Sequence, residues 1–296
     1  MNRRSFLMTA GATVAGAATS DVFARQAPVP GKARFRTGLV AYSYRKALEA
    51  KTMTYEDLIR IAVETGTDGI DLTVYWLPGT SDADLLPLRR LAYRNRVEIY
   101  SIGTRIRLAQ PTEELREREL MALRKWLDVA QKLGATHVRV FGGDKPDGAT
   151  LDQAIGFAVE TLKRGAEDAG ARGLIIGVED DGGITDFAKD TIAIVKGADS
   201  QWAGMNLDIG NFRPPNVYDQ IEMSLPYAVS THIKTTMALD DGKSRGPFDM
   251  DRVFKMFVAH GYRGYMGLEF EATEDPATAV PENLRKLKQL AVKYSA

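Results

Sequence analysis

Four residues in the second half of the chain are of types that do chemistry together: Glu179 in GVEDDGG, Asp208 in NLDIGNF, His232 in THIK and Glu269 in GLEFE. Each stands near the end of a short aliphatic or β-branched run, and the gaps between them are 29, 24 and 37 residues. Taken singly, each has an ordinary structural explanation. A glutamate at a strand end is usually solvated, a strand histidine usually bonds a carbonyl in the core, and an aspartate before Ile-Gly-Asn can cap a turn. Four such residues at equivalent places of successive units are harder to explain separately. Three carboxylates crowded into a low-dielectric site repel one another unless a cation sits among them. The chain has no cysteine, so a metal held here takes oxygen and imidazole ligands. That donor set suits Mn²⁺ first, then Mg²⁺ or Co²⁺, with Zn²⁺ and Fe²⁺ also accommodated.

The elements that must position these residues alternate between short apolar runs and longer amphipathic segments. Eight candidate strands fall at 37–44, 69–76, 97–103, 137–143, 174–180, 203–209, 229–235 and 265–271. Between them, YEDLIRIAVETG places Leu58, Ile61 and Ala62 on one face and stops at Gly66. PTEELRERELMALRKWLDVAQKLG opens on Thr and Glu and closes on Lys132 and Gly134, as the helix dipole and a glycine C-cap favour. The segment NVYDQIEMSLPYA between the sixth and seventh strands gives the poorest helix signal. Eight such units predict an α/β fold of the (β/α)₈ TIM barrel type, a single domain over residues 36–296. A doubly wound sheet is the alternative, but GLVAYSYRK after the first strand has no glycine-rich phosphate fingerprint.

In such barrels the C-terminal strand ends carry the active site, and alternation along a strand fixes which residues share its inner face. Lys234 shares the face of His232 and lies nearer the mouth, where a cation stabilises an oxyanion. Trp76, ending the second strand, can stack on the flat face of a ligand or pack in the core. Tyr42, Tyr44, Arg105, Arg139, Asn211 and Arg213 stand near strand ends, where they can hydrogen-bond hydroxyl groups. Arg139 in HVRVFGG lies inside a strand, where an arginine needs a polar partner. His137 and His260 read as structural.

Composition removes several function classes. Lysine plus arginine equals aspartate plus glutamate at 39 each, and no basic stripe points to nucleic acid. Without cysteine there are no disulfides and no thiolate catalysis. The first residues, MNRRSFLMTAGATVAGAATSDVFA, have Arg3-Arg4, a mildly apolar centre and a small-residue end. They are similar to a twin-arginine leader over residues 1–24, cleaved after Ala24, with a flexible segment over 25–35. Such a leader predicts a periplasmic or secreted protein without a membrane anchor. Homo-oligomer formation is left open.

The series Glu179, Asp208, His232 and Glu269, in the motifs quoted above, resembles the xylose isomerase-like TIM barrel family, the sugar phosphate isomerase/epimerase group. The resemblance runs from GLVAYSYR to the end of the eighth strand. It implies one divalent metal on those four residues, with the two glutamates as the acid–base pair that moves a proton next to a carbonyl. Many relatives carry histidines where this chain has Asp181 and Asn211, and an aspartate where it has Thr235; these neighbours bear on substrate rather than on metal. A DNA-repair endonuclease of the same superfamily needs a histidine-rich three-zinc cluster, and this chain has three histidines in all.

The expected function is therefore metal-dependent isomerisation or epimerisation of a free sugar or sugar derivative through an enediolate, with Glu179, Glu269 and Lys234 catalytic. Two alternatives stand beside it. One is a lyase or hydratase that eliminates a group from a 3-keto-glycoside at the same metal site. The other is a sugar-binding barrel without catalysis.

Overall fold

The computed structural model describes residues 33–295; the expected leader lies outside them. Eight parallel strands close into a barrel: β1 (Arg34–Val40), β2 (Gly69–Thr73), β3 (Glu98–Arg107), β4 (His137–Phe141), β5 (Ile175–Glu179), β6 (Ala203–Asp208), β7 (Ala228–Ile233) and β10 (Arg263–Leu268). β10 closes the ring by pairing with both β7 and β1. Helices α1 (Arg45–Glu49) to α9 (Pro276–Tyr294) follow the strands and cover the barrel. The central strands are buried along their length, for example β6 throughout, which is why they read as near-continuous apolar runs. No helix among the described residues is long and apolar enough to cross a membrane.

Local signals place the helices. α2 (Tyr55–Thr65) starts at a reciprocal Thr54–Asp57 capping box and ends at Gly66, which adopts φ +68°. There the left-handed conformation costs a glycine nothing. α4 (Glu113–Leu133) starts at Thr112 and ends at Gly134 in the same way. The weak signal after the sixth strand corresponds to a short helix, α7 (Val217–Ser224).

Two features depart from the sequence expectation. The first two strands end earlier than expected, and residues 41–44 and 74–76 form single 3₁₀ turns, so Tyr42, Tyr44 and Trp76 sit in rim turns. A hairpin of β8 (Thr236–Ala238) and β9 (Arg245–Pro247) follows β7. It is short and polar, and it follows directly from the Thr-rich end of β7, so residue type does not mark its start.

The N-terminal end of the barrel is plugged. Tyr100 and Tyr265 stack with ring centroids 3.7 Å apart. Tyr265 Oη donates to Glu98 Oε2 at 2.9 Å, and Glu98 also pairs with Arg36. A Cβ on Gly38 or Gly267 would come within 2.6 Å or 2.5 Å of Tyr100 Oη, so both glycines are required by the ring's close approach. Only the C-terminal mouth is left to hold a site.

Candidate metal centre and active site

Register brings the four donors together. Asp208 pairs with His232 across β6 and β7, and Glu179 lies level with Asn206 across β5 and β6. Glu269 follows the last residue of β10, its N–H donating to Ile233 O at 3.1 Å. One ligand atom from each of Glu179, Asp208, His232 and Glu269 lies within 4.8 Å of the others, and all four residues are buried.

His232 Nδ1 stands 2.6 Å from Glu179 Oε1 and 3.7 Å from Glu269 Oε1. Among the described residues it nevertheless makes no hydrogen bond, and neither does Asp208 Oδ2, whose one close charged neighbour is Lys234 Nζ at 3.2 Å. The remaining atoms of these groups are occupied. Asp208 Oδ1 accepts from Gly210 N at 2.8 Å, and His232 Nε2 stands 3.3 Å from Asp71 Oδ2. Asp71 is acceptor-only when ionised, so Nε2 carries a hydrogen, and Nδ1 is the nitrogen that would give up its proton and turn its lone pair to a cation among the carboxylates. Orphaned lone pairs converging from buried oxygen and imidazole donors fit a divalent cation.

The charges tell the same story. Burial, with Glu269 and Glu179 nearby, pushes the Asp208 carboxyl up to about 8 although Lys234 opposes the shift. Burial works against a charged His232, but Glu179, Glu269 and Asp71 outweigh it and raise its pKa well above the ordinary value. A site that borrows protons in this way is short of positive charge. Glu179 is the exception. Burial would raise its pKa, yet Arg139 and His232 hold it down at about 2.

Arg139 has the polar partners its place in a strand requires. Its Nε is 3.0 Å from Glu179 Oε2, and its Nη1 donates to Thr104 O at 2.7 Å and Tyr75 Oη at 3.2 Å. Asn206 Nδ2 donates to Glu179 Oε1 at 3.1 Å. Lys234 Nζ is buried among Glu271 at 2.5 Å, Asn211 Oδ1 at 2.6 Å, Asp208 at 3.2 Å and Glu269 at 3.4 Å.

A small chamber of about 110 Å³ lies over the donors and is bounded by Arg139, Asp181, Asn211 and Lys234 among others. Burial and the nearby Glu179 raise the Asp181 pKa to about 6. Trp76 lines a second, outer chamber. Arg213 lines neither; its Nε pairs with Asp186 at 2.8 Å.

Sequence reasoning did not single out Asp71, Tyr75, Asn206 or Glu271. Asp71 stood in view, a charged residue between Ile70 and Leu72 in a buried strand. Reading the inner face of every strand, rather than only its last position, would have found it.

His137 sits one layer below the site. Its Nδ1 is 2.8 Å from Ser101 Oγ, and its Nε2 fills the space left by the missing side chain of Gly177, where a Cβ would lie 2.2 Å away. Burial lowers its pKa from 6.5 to about 4. The unfolded chain therefore binds this proton first as pH falls. The neutral ring's contribution is fully present above pH 6.5 and is lost as pH falls towards 4; it amounts to about 3 kcal/mol. His137→Asn should flatten the acid limb of stability against pH in denaturant titrations between those values. An unchanged limb would rule out His137 as its source.

Comparison with known proteins agrees with this geometry. No curated protein sequence matches the chain. Among solved structures, an IOLI protein with a bound zinc atom superposes with a TM-score of 0.73 at 15% identity, covering 88% of this chain and 99% of that one. D-psicose 3-epimerase from Clostridium cellulolyticum H10, with D-tagatose, gives 0.68 at 16% identity, covering 88% and 98%. A 3-keto-D-glucoside 4-epimerase from E. coli gives 0.67 at 17%, covering 87% and 100%. At these identities the likeness speaks for the fold. The sequence itself matches the xylose isomerase-like TIM barrel family over residues 59–290, most of the barrel and all four donors, and the chain belongs to that family.

Proposed function

We propose that the protein is a divalent-metal-dependent sugar isomerase or epimerase that moves a proton at the carbon beside a carbonyl. The observation that carries this reading is the convergence of two buried glutamates, Glu179 and Glu269, on one imidazole nitrogen at the barrel mouth. Glu179, Asp208, His232 and Glu269 would hold the ion, and Mn²⁺ is our assignment from the donor set. When bound, such an ion supplies positive charge to a carbonyl oxygen and the neighbouring hydroxyl. Structures of a psicose 3-epimerase and a keto-glucoside 4-epimerase among the similar folds support a sugar substrate.

The chain's own residues divide the work. Glu179 is locked by Arg139 and Asn206 and kept ionised, so it is a weak proton acceptor. Glu269 touches only His232 and Lys234 among the charged groups at the centre, and it is better placed to take the proton from carbon. Lys234 Nζ, beside Glu269, can donate to the oxygen on which charge develops. In this reading the leader over residues 1–24 directs export through the twin-arginine route.

A second reading is elimination from a keto-glycoside, starting from the same proton abstraction. The outer chamber favours it, because it leaves room for a departing group beside the reacting carbon.

Incubation of Mn²⁺-loaded protein with keto- and aldo-sugars in D₂O tests the proposal. Isomerisation or epimerisation should give rearranged sugar carrying solvent deuterium, and Glu269→Gln should slow exchange by about 10²–10⁴-fold. Release of a leaving group would favour elimination. Metal binding without exchange into any sugar would leave a binding barrel.

A further inference from the structure

The inner chamber adjoins a larger one of about 660 Å³, and the two share Tyr42, Tyr75, Phe141 and Asp181 as walls. The inner space of about 110 Å³ admits little beyond the reacting end of a substrate. The outer space is of the size that holds drug-sized ligands, about 300–1,000 Å³. A free monosaccharide leaves it largely unused.

Its lining is chemically distinctive. On one side Tyr42 and Trp76 present near-parallel rings, 6.1 Å apart at 25°, with Tyr75 meeting Trp76 edge-on at 5.5 Å. Such rings stack on the flat face of a sugar or an aromatic ring. Arg105 lines the same space, its guanidinium carbon 4.1 Å from the Tyr75 ring centroid. Arg105 has no carboxylate partner among the described residues. Of the other cations there, Arg107 pairs with Asp144, Arg45 donates to Tyr42 O and Phe270 O, and Lys46 is an exposed helix residue at the rim. A guanidinium over a tyrosine ring that lines a cavity and lacks a carboxylate partner among the described residues matches a carboxylate.

We infer that the outer chamber is a subsite for a second, carboxylate-bearing unit joined to the reacting sugar, stacked on Tyr42 and Trp76 and held by Arg105. The inference rests on the proposed sugar chemistry for the reacting end and adds the class of substrate: an acidic glycoside or sugar-acid disaccharide. Both sources share an anionic group one ring away from the reacting carbons.

Calorimetric titration of the Mn²⁺-loaded protein tests this without turnover, using 4-carboxyphenyl glucoside, its methyl ester, glucose, and a glucuronyl-glucose disaccharide. The carboxylate compound should bind about tenfold more tightly than its ester, as one charge-assisted hydrogen bond supplies, and the difference should shrink in high salt. Arg105→Gln should abolish the preference, Arg105→Lys should retain part of it, and Trp76→Ala should weaken acid and ester alike. Preference for the disaccharide acid alone supports the subsite and assigns it to sugar acids. Equal affinities for acid and ester with no gain for the disaccharide, undetectable binding of both acids, or a preference that survives Arg105→Gln, would overturn it. Deuterium exchange into sugars without any acid preference defeats the subsite alone; acid preference without exchange defeats only the catalytic reading.

Discussion

Arg139→Leu is expected to lower the unfolding free energy of the metal-free protein by about 3–5 kcal/mol, the usual cost of stripping a buried charge of its partner. Arg139 is 3% exposed and Glu179 likewise 3%, so water cannot replace the guanidinium. Leucine fills much of the space but leaves Glu179 with Asn206 and His232 only. Titration points in the same direction. Against burial, which raises it, Arg139 first and then His232 and Lys234 hold Glu179 at about 2 rather than the ordinary 4.5, a net effect of about 3 kcal/mol that these groups share. That stabilisation is present above pH 4.5 and is lost as pH falls towards 2. Two further outcomes separate this cause from simple packing loss. Mn²⁺ stabilises any folded form that binds it, by about 2.7 kcal/mol at a hundred times Kd. At equal free Mn²⁺ the variant should therefore gain more than wild type if Glu179 has lost its counter-charge, and no more than wild type if only packing was lost. The double variant Arg139→Leu/Glu179→Gln should be more stable than the sum of the single losses predicts. Strict additivity in urea denaturation would mean that the two side chains are not energetically linked.

The barrel was legible because its signals are local and repeated. Glycine stops such as Gly66 and Gly134, capping residues such as Thr54 and Thr112, and buried aliphatic strands each specify their own element. Glu179, Asp208, His232 and Glu269 were legible for a related reason: parallel strands in register turn equal positions in successive units into neighbours. What sequence could not show is contact across the barrel. Asp71 lies 161 residues from His232, and nothing local at GIDLT says that its carboxylate will meet that imidazole. Glu271 is hidden differently. It stands two residues after Glu269, past the end of β10, and shares its side toward Lys234, so the alternation used for Lys234 would have reached it had the reading gone beyond the last inward position. The hairpin of β8 and β9 owes its existence to three residue pairs, too few for a periodic signal.

Asp71 and His232 together give the sharpest test of the centre. His232→Ala removes the one nitrogen donor from a site of carboxylates, and metal affinity should fall by well over about 100-fold, the upper range for loss of an outer partner. Asp71→Asn leaves all four donors in place. It removes the carboxylate that fixes the Nε2–H tautomer and holds the ring 3.3 Å away, so affinity should fall by about 10–100-fold. The order of the two effects matters more than either size. A histidine that served only the core would give that order in stability alone and no change in metal content, since the alanine would open a cavity while the asparagine would keep a hydrogen bond. Competition with a chromophoric chelator, read beside urea denaturation of each metal-free variant, separates these cases. Unchanged metal content in His232→Ala would remove the centre altogether. A full-strength site in Asp71→Asn would mean that packing alone orients the imidazole, with Asp71 left as a buried charge serving the fold.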